Sequence, residues 1–154
     1  MGDTLVIVPC GESKIWDRNP DYGAAKACDA YTSSLFRLNS RYATLVSDRW
    51  YILSAKYGFI EPEFTIPGPY NVSFKRKASQ PVSIDELRKQ VESYRLAKFS
   101  TVIGLGGKDY RAALLQAFEG RLASLTFPFA GLDLFQSMKA VKQVIRQHEE
   151  RASK

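Results

Sequence analysis

The chain has 154 residues, 45% of them hydrophobic and 25% charged, proportions that exclude wholesale disorder and suit one compact domain with a single core. Its longest apolar runs, such as Leu5 to Val8 and Thr101 to Leu105, are too short to cross a bilayer, so no membrane partner is expected. The net charge of +6 and pI near 9.4 raise the local concentration of polyanions, which favours nucleic acid or a nucleotide as partner.

No basic stretch followed by a long apolar one marks a secretory leader. Two cysteines, Cys10 and Cys28, make neither a disulfide framework nor a zinc site, and the chain is expected to be cytoplasmic. A single domain over residues 1–154 is expected, with a polar tail from about residue 147.

Residues 4–9 are β-branched and apolar, the pattern of a strand buried on both faces. Residues 24–46 carry Ala27, Tyr31, Leu35, Leu38, Tyr42 and Leu45 at steps of three and four, one stripe of an amphipathic helix. Residues 49–55 predict the second strand, and a long segment without helical period follows from Lys56 to Pro81. Ser83 with Glu86 three residues on is a capping-box signal, and Leu87, Val91, Tyr94 and Leu96 or Ala97 continue the helix face. A third strand is expected over 100–105 and a short helix over 108–118, with Ala112, Leu115 and Phe118 among its buried candidates. A fourth strand is expected over 122–129, weakened by Pro128. Leu132, Phe135, Met138, Val141 and Ile145 mark a last helix that fades into the tail.

Strands alternating with helices predict an α/β three-layer sandwich around a mostly parallel sheet of about four strands. Ligands in such sheets sit outside the carboxyl ends of the strands, which directs attention to the turns after Pro9, Ala55, Leu105 and Phe129.

In the first turn Gly11 permits close backbone approach, Ser13 donates and accepts hydrogen bonds, and Lys14 is a mobile cation. Cys10 is a candidate nucleophile only if a neighbouring cation or a helix terminus lowers its pKa; otherwise it is an inert buried thiol. In the second, Lys56 follows Ser54 at the strand end among aromatics, where it can clamp a phosphate or lose charge by desolvation. Glu61 is a candidate general acid or base. Tyr57 and Tyr70 either stack on a planar ring or simply anchor a long loop. In the third, Gly106, Gly107 and Lys108 lie at a strand-to-helix junction, where backbone N–H groups can face an anion. The pattern matches neither a Walker loop nor the dinucleotide fingerprint, since Asp109 stands where a last glycine belongs. In the fourth, Asp133 fits a helix cap better than a catalyst. The single histidine, His148, lies in the polar tail, so histidine triads and zinc hydrolases are not expected, nor any metal or cofactor. Acid–base work falls to carboxylates, Lys, Tyr or Cys.

Three stretches, PCGESK (Pro9 to Lys14), AYTSSLFRLNSRYA (Ala30 to Ala43) and WYILSAKYGFIEPE with PYNVSF behind it, resemble a bacterial and phage family of uncharacterised small proteins. More distantly, the PC-x-x-x-K turn and the Ser-rich strand end resemble the catalytic domain of archaeosine synthase, which modifies a deazaguanine base in transfer RNA with lysine. A similarity to the bacterial peroxide-stress DNA-binding family rests on less sequence. The archaeosine synthase resemblance implies roles for Cys10, Ser13, Lys14, Ser54, Lys56, Glu61 and Tyr70. The first turn departs from it by continuing as Ile15, Trp16 and Asp17, without the Ser and His of that enzyme, so its exact reaction is not implied.

The function expected is therefore an enzyme acting on a nucleobase or N-glycosidic bond in nucleic acid, with Lys14, Lys56 and Glu61 as catalytic candidates. The alternatives are an enzyme for a free nucleotide or nucleoside and a non-catalytic nucleic-acid-binding module.

Overall fold

Leu5, Val6, Ile7 and Val8 are all fully buried within strand β1 (Thr4–Pro9), as covering on both faces requires. The structure, a computed structural model, describes residues 3–153. After β1 come a 3-10 turn (Ile15–Asp17), one of three among the described residues with Lys77–Ser79 and Leu96–Lys98, then β2 (Ala25–Lys26), α1 (Ala27–Ala30), α2 (Ser34–Val46), β3 (Arg49–Ser54), β4 (Gly58–Ile60) and β5 (Thr65–Ile66). The remainder is α3 (Ile84–Ser93), β6 (Thr101–Gly104), α4 (Lys108–Ala117), β7 (Ser124–Thr126) and α5 (Leu134–Ala152).

The main sheet runs β4-β3-β1-β6-β7, and β2 pairs with β5 in a small separate ribbon. β3, β1, β6 and β7 are parallel, while β4 is antiparallel to β3 at the edge. Successive residues of β1 face opposite layers. Val6 and Val8 pack in one cluster with Phe36, Tyr42, Val141 and Ile145 of α2 and α5. Leu5 and Ile7 pack in the other with Leu87, Val91 and Leu114 of α3 and α4. Helices thus cover both faces of the sheet, the three-layer α/β sandwich expected.

The sheet has five strands rather than four. The extra one, β4, lies inside the stretch read as loop, because three residues at an antiparallel edge carry too short a pattern to show a period. The predicted fourth strand shrinks to Ser124–Thr126.

The helix expected from residue 24 is interrupted. Tyr31 to Ser33 are extended, held by a bridge between Lys14 and Tyr31 and by Thr32 N–H donating to Ser13 O at 3.1 Å. Ser33 then caps α2, its hydroxyl accepting from Phe36 N–H at 3.0 Å. The buried stripe is consequently Phe36, Asn39, Tyr42 and Ala43, while Leu45 is exposed. At the end of α4 Phe118 is buried as expected, but Ala112 and Leu115 are exposed and the buried side of the helix is Ala113, Leu114 and Ala117. α5 begins after Leu132, which is exposed, and Phe135 in its first turn faces solvent as well; the helix continues through the expected polar tail to Ala152.

Two signals translate directly. Ser83 caps α3, accepting from Glu86 N–H at 3.1 Å. Asp133 caps α5 and exchanges hydrogen bonds with Gln136, the full reciprocal box. Among the described residues no helix is long and apolar enough to cross a membrane.

Candidate active site at the carboxyl edge of the sheet

Cys10 follows the last residue of β1 and is held in line by its N–H donating to Leu53 O at 3.2 Å. Gly11 then turns the chain with φ of 77°, a left-handed conformation that favours glycine. Beyond this turn Lys14 is extended, and Asp17 accepts from its N–H at 2.9 Å. The bridge to Tyr31 pins the lysine down, leaving it only 8% exposed. Its ammonium group donates to Glu12 O at 3.1 Å and stands 4.6 Å from the centre of the Tyr70 ring. A buried lysine held by a carbonyl and an aromatic face is a constrained cation, unlike the solvated lysines of a helix surface.

Lys56 reaches the same ring from the end of the neighbouring strand. Its Nζ lies 5.5 Å from the Tyr70 centroid and 5.3 Å from that of Tyr57. Ser54, fully buried, shapes the turn by accepting from the N–H groups of Lys56 and Tyr57 at 3.2 and 3.1 Å. Its oxygen also lies 3.2 Å from the Tyr70 hydroxyl, which is 2.5 Å from that of Tyr31. Tyr57 packs edge-on against Tyr70, with centroids 5.6 Å apart.

On the other side of Cys10, its sulfur lies 3.2 Å from the hydroxyl of Tyr110, in the first turn of α4. Burial pushes the phenols of Tyr31, Tyr70 and Tyr110 well above their ordinary value, and the adjacent Cys10 adds to the rise in each. All three therefore keep their protons at working pH and can donate hydrogen bonds.

The carboxyl edge thus gathers Cys10, Lys14, Ser54, Lys56, Tyr57 and Tyr70, as expected from sequence, and adds Tyr31 and Tyr110. The signal for Tyr31 was its place in the Tyr-Thr-x-x-Leu-Phe stretch, where helical periodicity gave it a core role. Ser13 borders a cleft of about 480 Å³ shared with Lys14, Asp17 and Arg37. Gly11, Gly106, Gly107 and Tyr110 border a crevice of about 150 Å³ between the ends of β1 and β6. Lys108 is exposed at the first position of α4 and borders none of these.

Glu61 stands apart from the two lysines. β4 runs antiparallel to β3, so the chain beyond Ile60 travels back toward the start of β3. There Glu61 accepts from Arg49 Nη2 at 2.6 Å, both side chains about half exposed. It faces a groove of about 480 Å³ with Tyr51, Phe64 and Tyr94, and Tyr57 divides that groove from Tyr70. The expected grouping of Glu61 with Lys14 and Lys56 assumed a strand end followed by an open loop, and the reversal at Gly58 removes it. Among the described residues no group of three or more His, Cys, Asp or Glu side chains is placed to hold a metal ion.

The fold and this edge define a doubly covered α/β protein with a lysine- and tyrosine-rich cluster at the carboxyl ends of its parallel strands. The chain belongs to the Family of unknown function (DUF6884), whose model matches residues 5–143. It is similar to "Uncharacterized protein YfjM" of Bacillus subtilis (strain 168), 39% identical over 126 residues that make up 82% of this chain and 83% of that protein. Among solved structures it is similar to "Crystal structure of AF0587, a protein of unknown function", with TM-score 0.48 and 15% identity. That match covers 94% of this chain and 45% of the other, so this chain spans under half the length of that structure.

Proposed function

We propose that this protein is an enzyme acting on a nucleobase or N-glycosidic bond in nucleic acid. The observation that carries the reading is the pair of lysines on one tyrosine: Lys14, buried, and Lys56, exposed, lie 4.6 and 5.5 Å from the centre of the Tyr70 ring. Two amines around an aromatic face suit a substrate that combines a planar base, a reacting carbon and a flanking phosphate. An extruded base stacks on Tyr57, while Lys56 neutralises phosphate at the rim. The ammonium of Lys14 passes a proton to the departing base, and its freed amine bonds to the anomeric carbon as the N-glycosidic bond breaks, its electron pair leaving with the base. Once the sugar ring opens, the amine carries the sugar as a Schiff base. The protonated phenols of Tyr31 and Tyr70 donate to the leaving base or the developing alkoxide.

The distant resemblance to the catalytic domain of archaeosine synthase supports a base-handling pocket: of its matching positions, Cys10, Ser13, Lys14, Ser54, Lys56 and Tyr70 lie at this edge, while Glu61 lies apart from it with Arg49. The alternative, a free nucleotide or nucleoside as substrate, draws on the small size of the crevice beside Cys10, about 150 Å³.

The test is incubation with pooled DNA and RNA, modified and unmodified, followed by gel and mass spectrometry with borohydride present. Base release or a mass change, with a covalent adduct lost in Lys14→Ala or Lys56→Ala, identifies the nucleophile. Salt-sensitive binding without product in any protein replaces the reading with a non-catalytic binding module. Turnover of free nucleotides alone moves it to the small-molecule alternative.

A further inference from the structure

Along the sheet the chain steps from β1 outward to β3, then returns across β1 to β6 and on to β7. The direction of winding therefore reverses between β1 and β6, the position where open parallel sheets leave a crevice at their carboxyl ends. At this crevice the chain after β1 turns at Gly11, and the chain after β6 turns at Gly106 with φ of 115°. A Cβ at Gly106 would lie 3.1 Å from the Pro9 ring, so the two turns meet closely only because the residue is glycine.

α4 starts there. Its first bond is Arg111 N–H to Gly107 O at 3.0 Å, and its N-cap glycine has no side chain to cap with. The N–H groups of Lys108, Asp109 and Tyr110 therefore have no acceptor within the helix. A ten-residue helix with an uncapped amino end attracts an anion.

Asn39 of α2 supplies an independent sign of a ligand. It is 3% exposed and sits on the buried stripe of its helix, yet its amide makes no hydrogen bond to the described residues. No polar side-chain atom of the described residues is both sealed from solvent and unpaired. The small accessible part of Asn39 is thus its amide, which opens on the β1–β6 crevice and on an adjoining cleft of about 380 Å³. An amide that faces a cleft without a protein partner keeps its donor and acceptor free for what the cleft holds. Arg111 borders the larger cleft, with one guanidinium nitrogen donating to Gly106 O at 3.2 Å, and Lys75 also lines that cleft. Asp109, the nearby carboxylate, borders neither cleft.

We infer that the crevice between β1 and β6 is a phosphate-binding subsite, in which the amino end of α4, the Asn39 amide and Arg111 hold a phosphate ester. The ester belongs either to a free nucleotide or to the backbone of a polynucleotide. The inference goes beyond the base-processing reading and does not depend on it.

The experiment is an amide NMR titration of the full chain with inorganic phosphate, then with a nucleoside 5′-monophosphate and a short single-stranded oligonucleotide. In wild type the Gly106, Gly107 and Tyr110 resonances, from residues that line the crevice, shift and saturate. Arg111→Ala binds at least about tenfold more weakly, the loss of a charge-assisted bond. Asn39→Asp, which keeps the shape but opposes the anion, abolishes saturation, and Asn39→Leu weakens it while circular dichroism stays native. Tighter binding of the monophosphate than of the oligonucleotide assigns the subsite to a free nucleotide, and the reverse order to the polymer. Absence of saturable shifts, or equal affinity in wild type and Arg111→Ala, overturns the inference. A borohydride adduct without phosphate binding leaves base processing standing and this subsite refuted; phosphate binding without base chemistry does the opposite.

Discussion

Tyr70 lends its hydroxyl to Tyr31 and Ser54 and its ring to Lys14 and Lys56, and two substitutions separate these parts. Tyr70→Phe keeps the ring, strands the buried Tyr31 hydroxyl and removes one of three partners of Ser54, an expected loss of about 1–3 kcal/mol in urea unfolding. Tyr70→Leu also removes the aromatic face from beneath a buried ammonium, adding about 1–2 kcal/mol. If the two variants unfold at the same urea concentration, the ring does not hold the lysines.

The three raised phenols also set a pH dependence. Folding raises the pKa of Tyr31, Tyr70 and Tyr110 above the unfolded value of about 10, so the folded chain holds these protons more tightly. Their contribution to stability is complete below about pH 10 and is lost as pH rises through the raised values. Of the eight tyrosines, at least these three stay un-ionised in an absorbance titration until the chain unfolds. Smooth ionisation of all eight near pH 10 in folded protein contradicts the burial of this cluster.

At the scale of elements, local chemistry and tertiary packing carry different weights. The Ser83 cap is local: Ser83→Ala removes the acceptor for Glu86 N–H and costs about 1 kcal/mol in thermal or chemical unfolding. Ile7 is packed by the whole fold, lying between Tyr51 and Gly104 on the flanking strands and under α3 and α4. Ile7→Ala costs about 2–5 kcal/mol, because the close-packed layer collapses only in part onto the cavity. A smaller loss for Ile7→Ala than for Ser83→Ala contradicts a β1 buried on both faces.

The same contrast explains how far the elements were legible. β1, the α3 cap and the α5 cap declare themselves in a few adjacent residues. The break between α1 and α2 does not, because it is made by pairing with Lys14, seventeen residues from Tyr31 in the chain. Asn39 carried a readable signal, a polar residue between Phe36 and Tyr42 on an apolar stripe, but the stripe drawn through Leu35 and Leu38 passed beside it.

At the scale of the molecule, charge is distributed so that one helix face adds to the edge of the sheet. Lys139, Lys142 and Arg146 border a shallow groove on α5, within an overall charge of +6. If the partner is a polynucleotide that reaches this face, the double variant Lys139→Glu, Lys142→Glu lowers the salt dependence of binding by roughly two phosphate contacts. An unchanged slope confines the encounter to the carboxyl edge.

The sequence by itself determined the α/β class, the strand ends where glycine, serine, lysine and tyrosine collect, and the caps of two helices, because each depends on residues a few positions apart. Tertiary structure alone decided which of those ends meet. The antiparallel reversal at Gly58 carries Glu61 away from the lysines, while the order of strands sets β1 beside β6. The Lys14 bridge folds Tyr31 under Tyr70, and α4 brings Tyr110 to Cys10. Apart from the short β3–β4 hairpin, whose pairing spans four to eight positions, these are contacts between residues from seventeen to about a hundred positions apart, set by how strands pair and helices pack rather than by a local pattern of residue types.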